Sequence, residues 1–321
     1  MSVARQTTDN ARRGIVFILI GMSCISINDM LVKQLSESYP LHQTVFLRSL
    51  IGIVFSLVVL QFEGGFRALK TRQPGLHLLR CLFIVFANMA FFAGLAVIPL
   101  ADATALFFVA PLFITLLSIP FLGEQVGVRR ISAVLVGFLG VLVMLRPGAE
   151  IGDHAPNRLI LLLPVVAAFS YACMQILTRR LGVSSPASAM SVYIQATFMA
   201  VGLAFYLIAG DGRYAEGLES KSLIFLLRAW AWPAGDDWIR FAVLGLMSGA
   251  ISYCLSKAYS SANAATIAPF EYVAMPMAIL MGWVAFGELP DVWVYVGTAL
   301  IVASGVYVFL REAKRARRAP R

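Results

Sequence analysis

The residues of this chain that could do chemistry are ionisable side chains set inside long apolar runs. Glu271 lies well inside apolar sequence, and Pro276 follows it in the same predicted helix. A carboxylate at membrane depth costs about 2.5–3.5 kcal/mol on insertion scales, so its presence there suggests a function. Proline is tolerated inside a membrane helix where neighbouring helices or a cavity re-satisfy the backbone groups that it frees. We therefore predict that the stretch 257–288 forms one wall of a transport cavity.

Two buried charges are the leading candidates for solute binding or coupling, and each has a structural alternative. Glu271 could accept a substrate ammonium group or carry a coupling proton, or it could pair permanently with Lys257 or another base. Arg48 could hold a substrate carboxylate in a two-pronged contact, or it could pair with Asp29, which lies at a similar predicted depth. The full set of candidates is Glu271, Lys257, Tyr253, Tyr272, Arg48, Asp29, Asn88, Gln175 and Tyr193, with Pro111 and Pro276 as helix-breaking prolines. Because the set holds charges of both signs, it favours an amino-acid-like or zwitterionic cargo.

The composition requires elements that span a membrane. Hydrophobic residues make up 60% of the 321 residues and charged residues only 13%, whereas soluble domains carry about 25% charged residues. A membrane helix needs about 20 apolar residues, and about ten such runs fill the chain. We therefore predict an all-α integral membrane protein with ten transmembrane helices, which excludes a soluble enzyme.

The net charge of +9 is concentrated in short loops and at the two ends of the chain. Basic residues hold loops on the cytoplasmic side, so their distribution predicts a bacterial inner-membrane protein with both termini cytoplasmic. No basic segment is interleaved with stacking aromatics, which argues against nucleic acid as a partner. The three histidines lie near helix ends or in loops, so neither a metal nor a cofactor is expected.

The two halves of the chain resemble each other in the order of their short motifs. KQLSESYP at 33–40 parallels RRLGVSSP at 179–186, and LADATA at 100–105 parallels SANAAT at 261–266. Five helices per half is an odd number, so the second copy must be inverted, which is a recurring plan of secondary transporters. The predicted units are a cytoplasmic tail (1–13), a first repeat (14–147), a connecting loop (148–157), a second repeat (158–310) with an interfacial segment (220–233), and a basic cytoplasmic tail (311–321).

Several of these motifs carry a resemblance to a known family. In the first half they are Pro111, Gly123-Glu124 and Gly140-Val141, and in the second Asn263, the run 269–272, Gly287-Glu288 and Gly305-Val306. With them the chain resembles the drug/metabolite transporter superfamily, in its ten-helix branch with two EamA-type repeats. The resemblance implies alternating access and transport of a small organic solute.

The predicted function is therefore secondary transport of a small metabolite, with export favoured over import. An importer of a vitamin-like or nucleoside-like solute is the alternative within this class. An intramembrane enzyme or a passive channel is the alternative outside it, but the chain has neither an H-E-x-x-H nor a G-x-S-x-G motif and no filter-like repeat. The sequence allows coupling to protons, and it allows either a monomer or a homodimer.

Two further expectations concern packing rather than transport. Arg80, near the start of the third predicted helix, is expected to extend its side chain to the membrane interface. Gly245 and Gly249 form a small-residue stripe of the kind that lets two membrane helices approach closely.

Overall fold

The computed structural model describes residues 2–123, 128–145, 158–261 and 267–318, which form helices joined by turns and short irregular links, with no strand among them. Seven helical stretches are long and apolar enough to cross a membrane, and one of them, Leu100–Leu122, consists of two consecutive helices. Three shorter apolar helices, Leu135–Met144, Phe270–Phe286 and Val292–Ser304, accompany them. This confirms an all-helical chain with several membrane spans. The predicted connecting loop 148–157 lies outside the described residues, as do Glu124 and Asn263.

The helices follow one another with short links. They are α1 (Ser2–Leu35), α2 (Leu41–Phe62), α3 (Pro74–Leu95), α4 (Leu100–Phe107), α5 (Ala110–Leu122), α6 (Val128–Leu145), α7 (Arg158–Leu181), α8 (Ala187–Ala209), α9 (Lys221–Leu227), α10 (Asp237–Ser261), α11 (Ala274–Phe286) and α12 (Val292–Arg318). Two 3₁₀ segments, Gly65–Leu69 and Ala268–Val273, complete the described elements.

Proline and glycine set the ends of matching helices in the two halves. Pro40 and Pro186 stand directly before α2 and α8 in extended conformation, where a missing N–H costs no helical hydrogen bond. Gly123 and Gly287 end α5 and α11 with φ of 67° and 68°, the left-handed conformation that glycine adopts without strain. The Gly-Glu pairs of the sequence therefore begin at helix ends, as expected.

Both predicted helix-breaking prolines follow a real interruption. Pro111 is the second residue of α5, immediately after α4 has ended at Phe107. Pro276 is the third residue of α11, which continues from the 3₁₀ segment that contains Glu271. Proline fits the first turn of a helix because the N–H groups there have no helical acceptor. These interruptions place non-helical backbone beside the centre of the bundle.

The central helices pack in pairs, with α3 along α7, α2 along α8, and α10 along both α1 and α2. The predicted glycine stripe is the contact surface between α10 and α2. A Cβ built on Gly249 would lie 2.8 Å from the ring of Phe55 and 3.0 Å from the carbonyl oxygen of Gly52. The two backbones approach this closely only because glycine has no side chain.

The segment between α8 and α10 lies across the ends of α1, α2 and α3. The Arg228 guanidinium donates to the carbonyl oxygens of Glu37 (2.5 Å) and Ser36 (3.1 Å). Gln43 and Ala231 exchange two hydrogen bonds of 2.5 and 3.0 Å. The segment is therefore tied to the α1–α2 link by hydrogen bonds.

Candidate functional site

A cavity of about 130 Å³ lies where the central helices of the two halves meet. The polar residues of its wall include Asn28, Asp29, Arg48, Arg80, Asn88 and Gln175. Its aromatic residues are Phe91, Phe92, Phe107, Phe108, Tyr171 and Phe198. Aliphatic side chains and small polar residues make up the rest of the lining, so the wall combines apolar surfaces with several polar groups, as ligand sites do.

Arg48 is the buried cation on the α2 side of the cavity. Its guanidinium donates to the side-chain oxygen of Asn28 at 3.3 Å and to that of Asn88. The same group lies 5.4 Å from the ring centre of Phe92 and 5.2 Å from that of Phe198. Cations within about 6 Å of a ring are attracted by its π face. Arg48 is therefore fixed between two rings.

The predicted pairing of Arg48 with Asp29 takes an indirect form. Asn28 donates to the Asp29 carboxylate at 3.0 Å and accepts from Arg48 at 3.3 Å. The carboxylate and the guanidinium thus belong to one hydrogen-bonded chain with an amide between them. Three predicted residues, Asp29, Arg48 and Asn88, lie together in the cavity wall.

Arg80 corrects an expectation from the sequence. It is only 1% exposed and does not extend to an interface. It donates to the hydroxyl of Thr178 (2.6 Å), the carbonyl oxygen of Met190 (3.2 Å) and the hydroxyl of Ser256 (2.9 Å). Three other helices supply these acceptors, and the hydrogen bonds offset the free-energy cost of burying the charged guanidinium. Arg80 is a second guanidinium in the cavity wall.

Glu271 lies behind the cavity wall and is 1% exposed. One carboxylate oxygen accepts from the hydroxyls of Tyr171 (2.8 Å) and Tyr259 (2.5 Å). Tyr171 also lines the cavity, so its side chain connects the cavity to the carboxylate. Glu271 is thus held by two neutral donors one side chain away from the cavity.

The alternative in which Glu271 pairs with Lys257 is excluded. The Lys257 ammonium lies 2.6 Å from the Glu63 carboxylate, which also accepts from the hydroxyl of Tyr253 at 3.0 Å and the backbone N–H of Ser188 at 3.1 Å. Burial raises the pKa of Glu63, but the hydrogen bonds from Lys257 and Ser188 lower it by more, so the net shift is downward. Lys257 and Tyr253 therefore belong to a cluster at the end of α2, outside the cavity lining.

The remaining predicted residues lie in three different places. Gln175 is in the cavity wall. Tyr272 is buried and its ring packs edge-on against Phe108, a cavity residue, at 5.5 Å between centres. Tyr193 is outside the lining, where its hydroxyl donates to the carbonyl oxygen of Leu69.

A second ion pair lies at the other end of the bundle. Lys33, at the end of α1, is 2.6 Å from Glu288, which follows α11. The backbone N–H of Leu100 donates to the same carboxylate at 3.3 Å. Because α2 begins near Lys33 and ends at Glu63, the pairs Lys33–Glu288 and Lys257–Glu63 lie at opposite ends of that helix.

Comparison with known proteins finds similar transporters. Residues 12–146 match the EamA-like transporter family. The riboflavin transporter of Rhizobium johnstonii is 29% identical over 95% of this chain and 91% of its own. The S-adenosylmethionine uptake transporter of Rickettsia prowazekii is 27% identical over 94% of each chain. The chain is similar to EamA-like transporters, through a family match over less than half of its length and through relatives that align over nearly all of it.

The fold of the chain also matches a solved crystal structure. The two superpose with a TM-score of 0.66 at 20% identity, over 94% of this chain and 98% of the other. The family and the named relatives identify a small-molecule transporter and not an enzyme. With seven long apolar helices, it is a multi-pass membrane protein. The resemblance to EamA-type transporters predicted from the sequence motifs is thus confirmed.

Three features of the transporter's interior were missed in the sequence. Tyr259, which donates to Glu271, was not among the candidates, and Arg80 was assigned to the interface. Glu63 was placed in a loop, although it gathers Lys257, Tyr253 and Ser188 from two other helices. The position of Arg80, six residues inside an apolar helix, was the available signal of burial.

Proposed function

We propose that this transporter moves a small organic solute with a planar heteroaromatic ring, of the vitamin or nucleoside class, inward across the bacterial inner membrane. The observation that carries the proposal is the cavity itself, whose wall holds six aromatic side chains, two of which lie against the guanidinium of Arg48. Aromatic faces stack favourably on planar heterocycles, and nucleobases gain about 1–3 kcal/mol per stacked base in protein sites.

The amino-acid-like cargo expected from the sequence has less support. That hypothesis relied on Glu271, Lys257 and Arg48 converging on one solute. Lys257 instead pairs with Glu63, and Glu271 lies behind Tyr171. Without this convergence, the aromatic wall is the stronger guide to the cargo.

The charges in the cavity wall favour a neutral or anionic solute. The wall holds two guanidinium groups, Arg48 and Arg80, and one carboxylate, Asp29. A solute of net positive charge would meet repulsion there, whereas charges of opposite sign attract. Both named relatives transport compounds that contain a fused heteroaromatic ring. Of the two, riboflavin is uncharged and S-adenosylmethionine carries a sulfonium cation, so a flavin is the better first probe.

The architecture that we propose has ten spans in two inverted five-helix repeats, 14–147 and 158–310, with both termini cytoplasmic. The seven long helices and three shorter apolar helices supply ten candidates for these spans. The paired signals at Pro40 and Pro186, and at Gly123 and Gly287, support the duplication.

Alternating access needs contacts that close the cavity on each side in turn. We propose the ion pairs Lys33–Glu288 and Lys257–Glu63 for this role, since they lie at opposite ends of α2. Glu271 is our candidate for the coupling proton. A buried carboxylate held by hydroxyls alone is costly unless a proton or a cation compensates its charge, and Tyr171 links it to the cavity.

Uptake into reconstituted vesicles tests this proposal. Vesicles loaded with unlabelled riboflavin, a nucleoside or a neutral amino acid are diluted into the corresponding labelled solute. We expect saturable counterflow of a heteroaromatic solute, and competition among heteroaromatic compounds but not by the amino acid. Saturable flux of the amino acid alone would restore the zwitterionic hypothesis and contradict ours. Matched vesicles that contain Arg48→Met report whether flux passes through this cavity.

A further inference from the structure

Gln175 is a buried side chain whose hydrogen-bonding groups have no partner in the protein. It lies on α7 in the cavity wall and is 0% exposed. Neither its amide nitrogen nor its amide oxygen makes a hydrogen bond of good geometry, and its polar neighbour is the Tyr171 hydroxyl. Tyr171, one helical turn earlier, gives its hydroxyl to Glu271 instead. Buried polar groups are almost always satisfied, so an unsatisfied carboxamide in a cavity wall calls for an explanation.

The other buried glutamines of the described chain show how a structural glutamine is satisfied. Gln43 exchanges two hydrogen bonds with the backbone of Ala231. Gln195, which is also 0% exposed, donates to the hydroxyls of Ser248 (3.1 Å) and Ser252 (3.2 Å). Gln175 therefore differs from its buried counterparts by facing the cavity without partners.

A second unsatisfied group lies in the same wall. The Nε atom of Arg48 is buried and has no acceptor, although the other two nitrogens of the guanidinium are bonded. The unpaired groups of the wall are thus one acceptor, the amide oxygen of Gln175, and two donors, the amide nitrogen of Gln175 and the Nε of Arg48. These groups lie in the same wall as the six aromatic side chains.

We infer that Gln175 recognises the edge of the cargo ring, pairing its carboxamide with an adjacent N–H and C=O of an unsubstituted cyclic amide or imide. A carboxamide presents one donor and one acceptor side by side, which is the complement of such an edge. The Nε of Arg48 supplies a donor for a further carbonyl oxygen. The inference rests on the proposed function, since it names the chemical feature by which the same cavity selects its solute.

The pair riboflavin and 3-methylriboflavin isolates this contact. The added methyl group removes the ring N–H donor and leaves the flat ring system in place. A site built to bond a polar edge rejects an analogue that leaves its groups unpaired. Because hydrogen bonds contribute about 1 kcal/mol and more when their loss strands a buried partner, we expect the transporter to prefer riboflavin by roughly 10- to 100-fold.

The matched variant is Gln175→Leu, which has a similar volume and no polar atom. We expect this variant to bind the two flavins within about threefold of each other, and to be at least as resistant to heat as the parent protein, since it removes two unsatisfied groups. Binding of each flavin to the purified full chain is measured by quenching of flavin fluorescence, and counterflow of each is measured in vesicles. Gln175→Met serves as a second variant of the same design.

The outcomes separate the inference from the proposal on which it rests. Loss of discrimination in both variants supports the contact. Discrimination that persists in the variants, or that is absent from the parent protein, overturns the role of Gln175 and leaves flavin transport intact. A parent protein that neither binds nor moves either flavin while moving an amino acid overturns the proposed function and this inference with it.

Discussion

Replacing Glu271 with glutamine separates proton coupling from solute movement. The glutamine oxygen can still accept from Tyr171 and Tyr259, which now bond the Glu271 oxygen at 2.8 and 2.5 Å. Hydrogen bonds to charged groups contribute about 1.5–3 kcal/mol and neutral ones about 1 kcal/mol, so the variant should fold with a modest loss of stability. It cannot, however, gain or release a proton.

The expected effect on transport follows from the energy of one proton. A gradient of one pH unit is worth about 1.36 kcal/mol per proton, which corresponds to about tenfold accumulation of a solute moved with one proton. We therefore expect up to tenfold riboflavin accumulation by the parent protein and a ratio near one for Glu271→Gln. Counterflow at equal pH, which needs no net proton movement, should persist in the variant.

The assay uses vesicles with one pH unit across the membrane and the membrane potential clamped to zero with potassium and valinomycin. Tyr259→Phe is the matched control, because it removes one hydrogen bond and keeps the carboxyl group. It should retain accumulation. If Glu271→Gln, folded and active in counterflow, accumulated the solute as the parent does, Glu271 would not carry the coupling proton.

Three further predictions concern stability, each measured as the midpoint of thermal aggregation in detergent. Arg80→Lys should lower the midpoint by several degrees, because an ammonium group cannot reach the three acceptors that the guanidinium bonds. The control Arg72→Lys, at an exposed position, should leave the midpoint unchanged. The pKa of Glu63 is lowered in the folded protein, so the ionised carboxylate stabilises the fold. This contribution is complete above the ordinary pKa of 4.5 and is lost as the pH falls through the lower pKa of the folded protein. Glu63→Gln should therefore make the midpoint less dependent on pH on the acid side. An unchanged acid profile would contradict this. Gly249→Leu should destabilise the protein by about 1–3 kcal/mol, because the larger side chain overpacks the α2–α10 contact. Gly75→Leu is the control, since a side chain there enters open space. Equal midpoints for the two variants would contradict close packing at Gly249.

Much of the cavity could be predicted because its residues are polar interruptions of apolar helices. Asp29, Arg48 and Asn88 stood out in this way, and the structure brings them together. The helix ends could also be predicted from the sequence, because proline before a helix and glycine after it act through their own backbone geometry.

The sequence could not reveal partners that lie far apart along the chain. A pair of Lys257 with Glu271 was one alternative from the sequence, but the ion pair of Lys257 is with Glu63, which is 194 residues away. Arg80 was placed at an interface from its distance to a helix end. Its burial depends on Thr178, Met190 and Ser256, and only the three-dimensional packing brings those acceptors to it.

The measurement that tests the central claim most directly is counterflow of labelled riboflavin in vesicles, compared between the parent protein and Phe198→Ala. Phe198 forms one of the two rings that hold Arg48 in the cavity wall. The account predicts saturable flux by the parent protein, and weaker riboflavin binding by the variant, by roughly 10-fold or more for the loss of one aromatic face. Equal flux and equal affinity in the two proteins would contradict the claim that this aromatic cavity is the transport site.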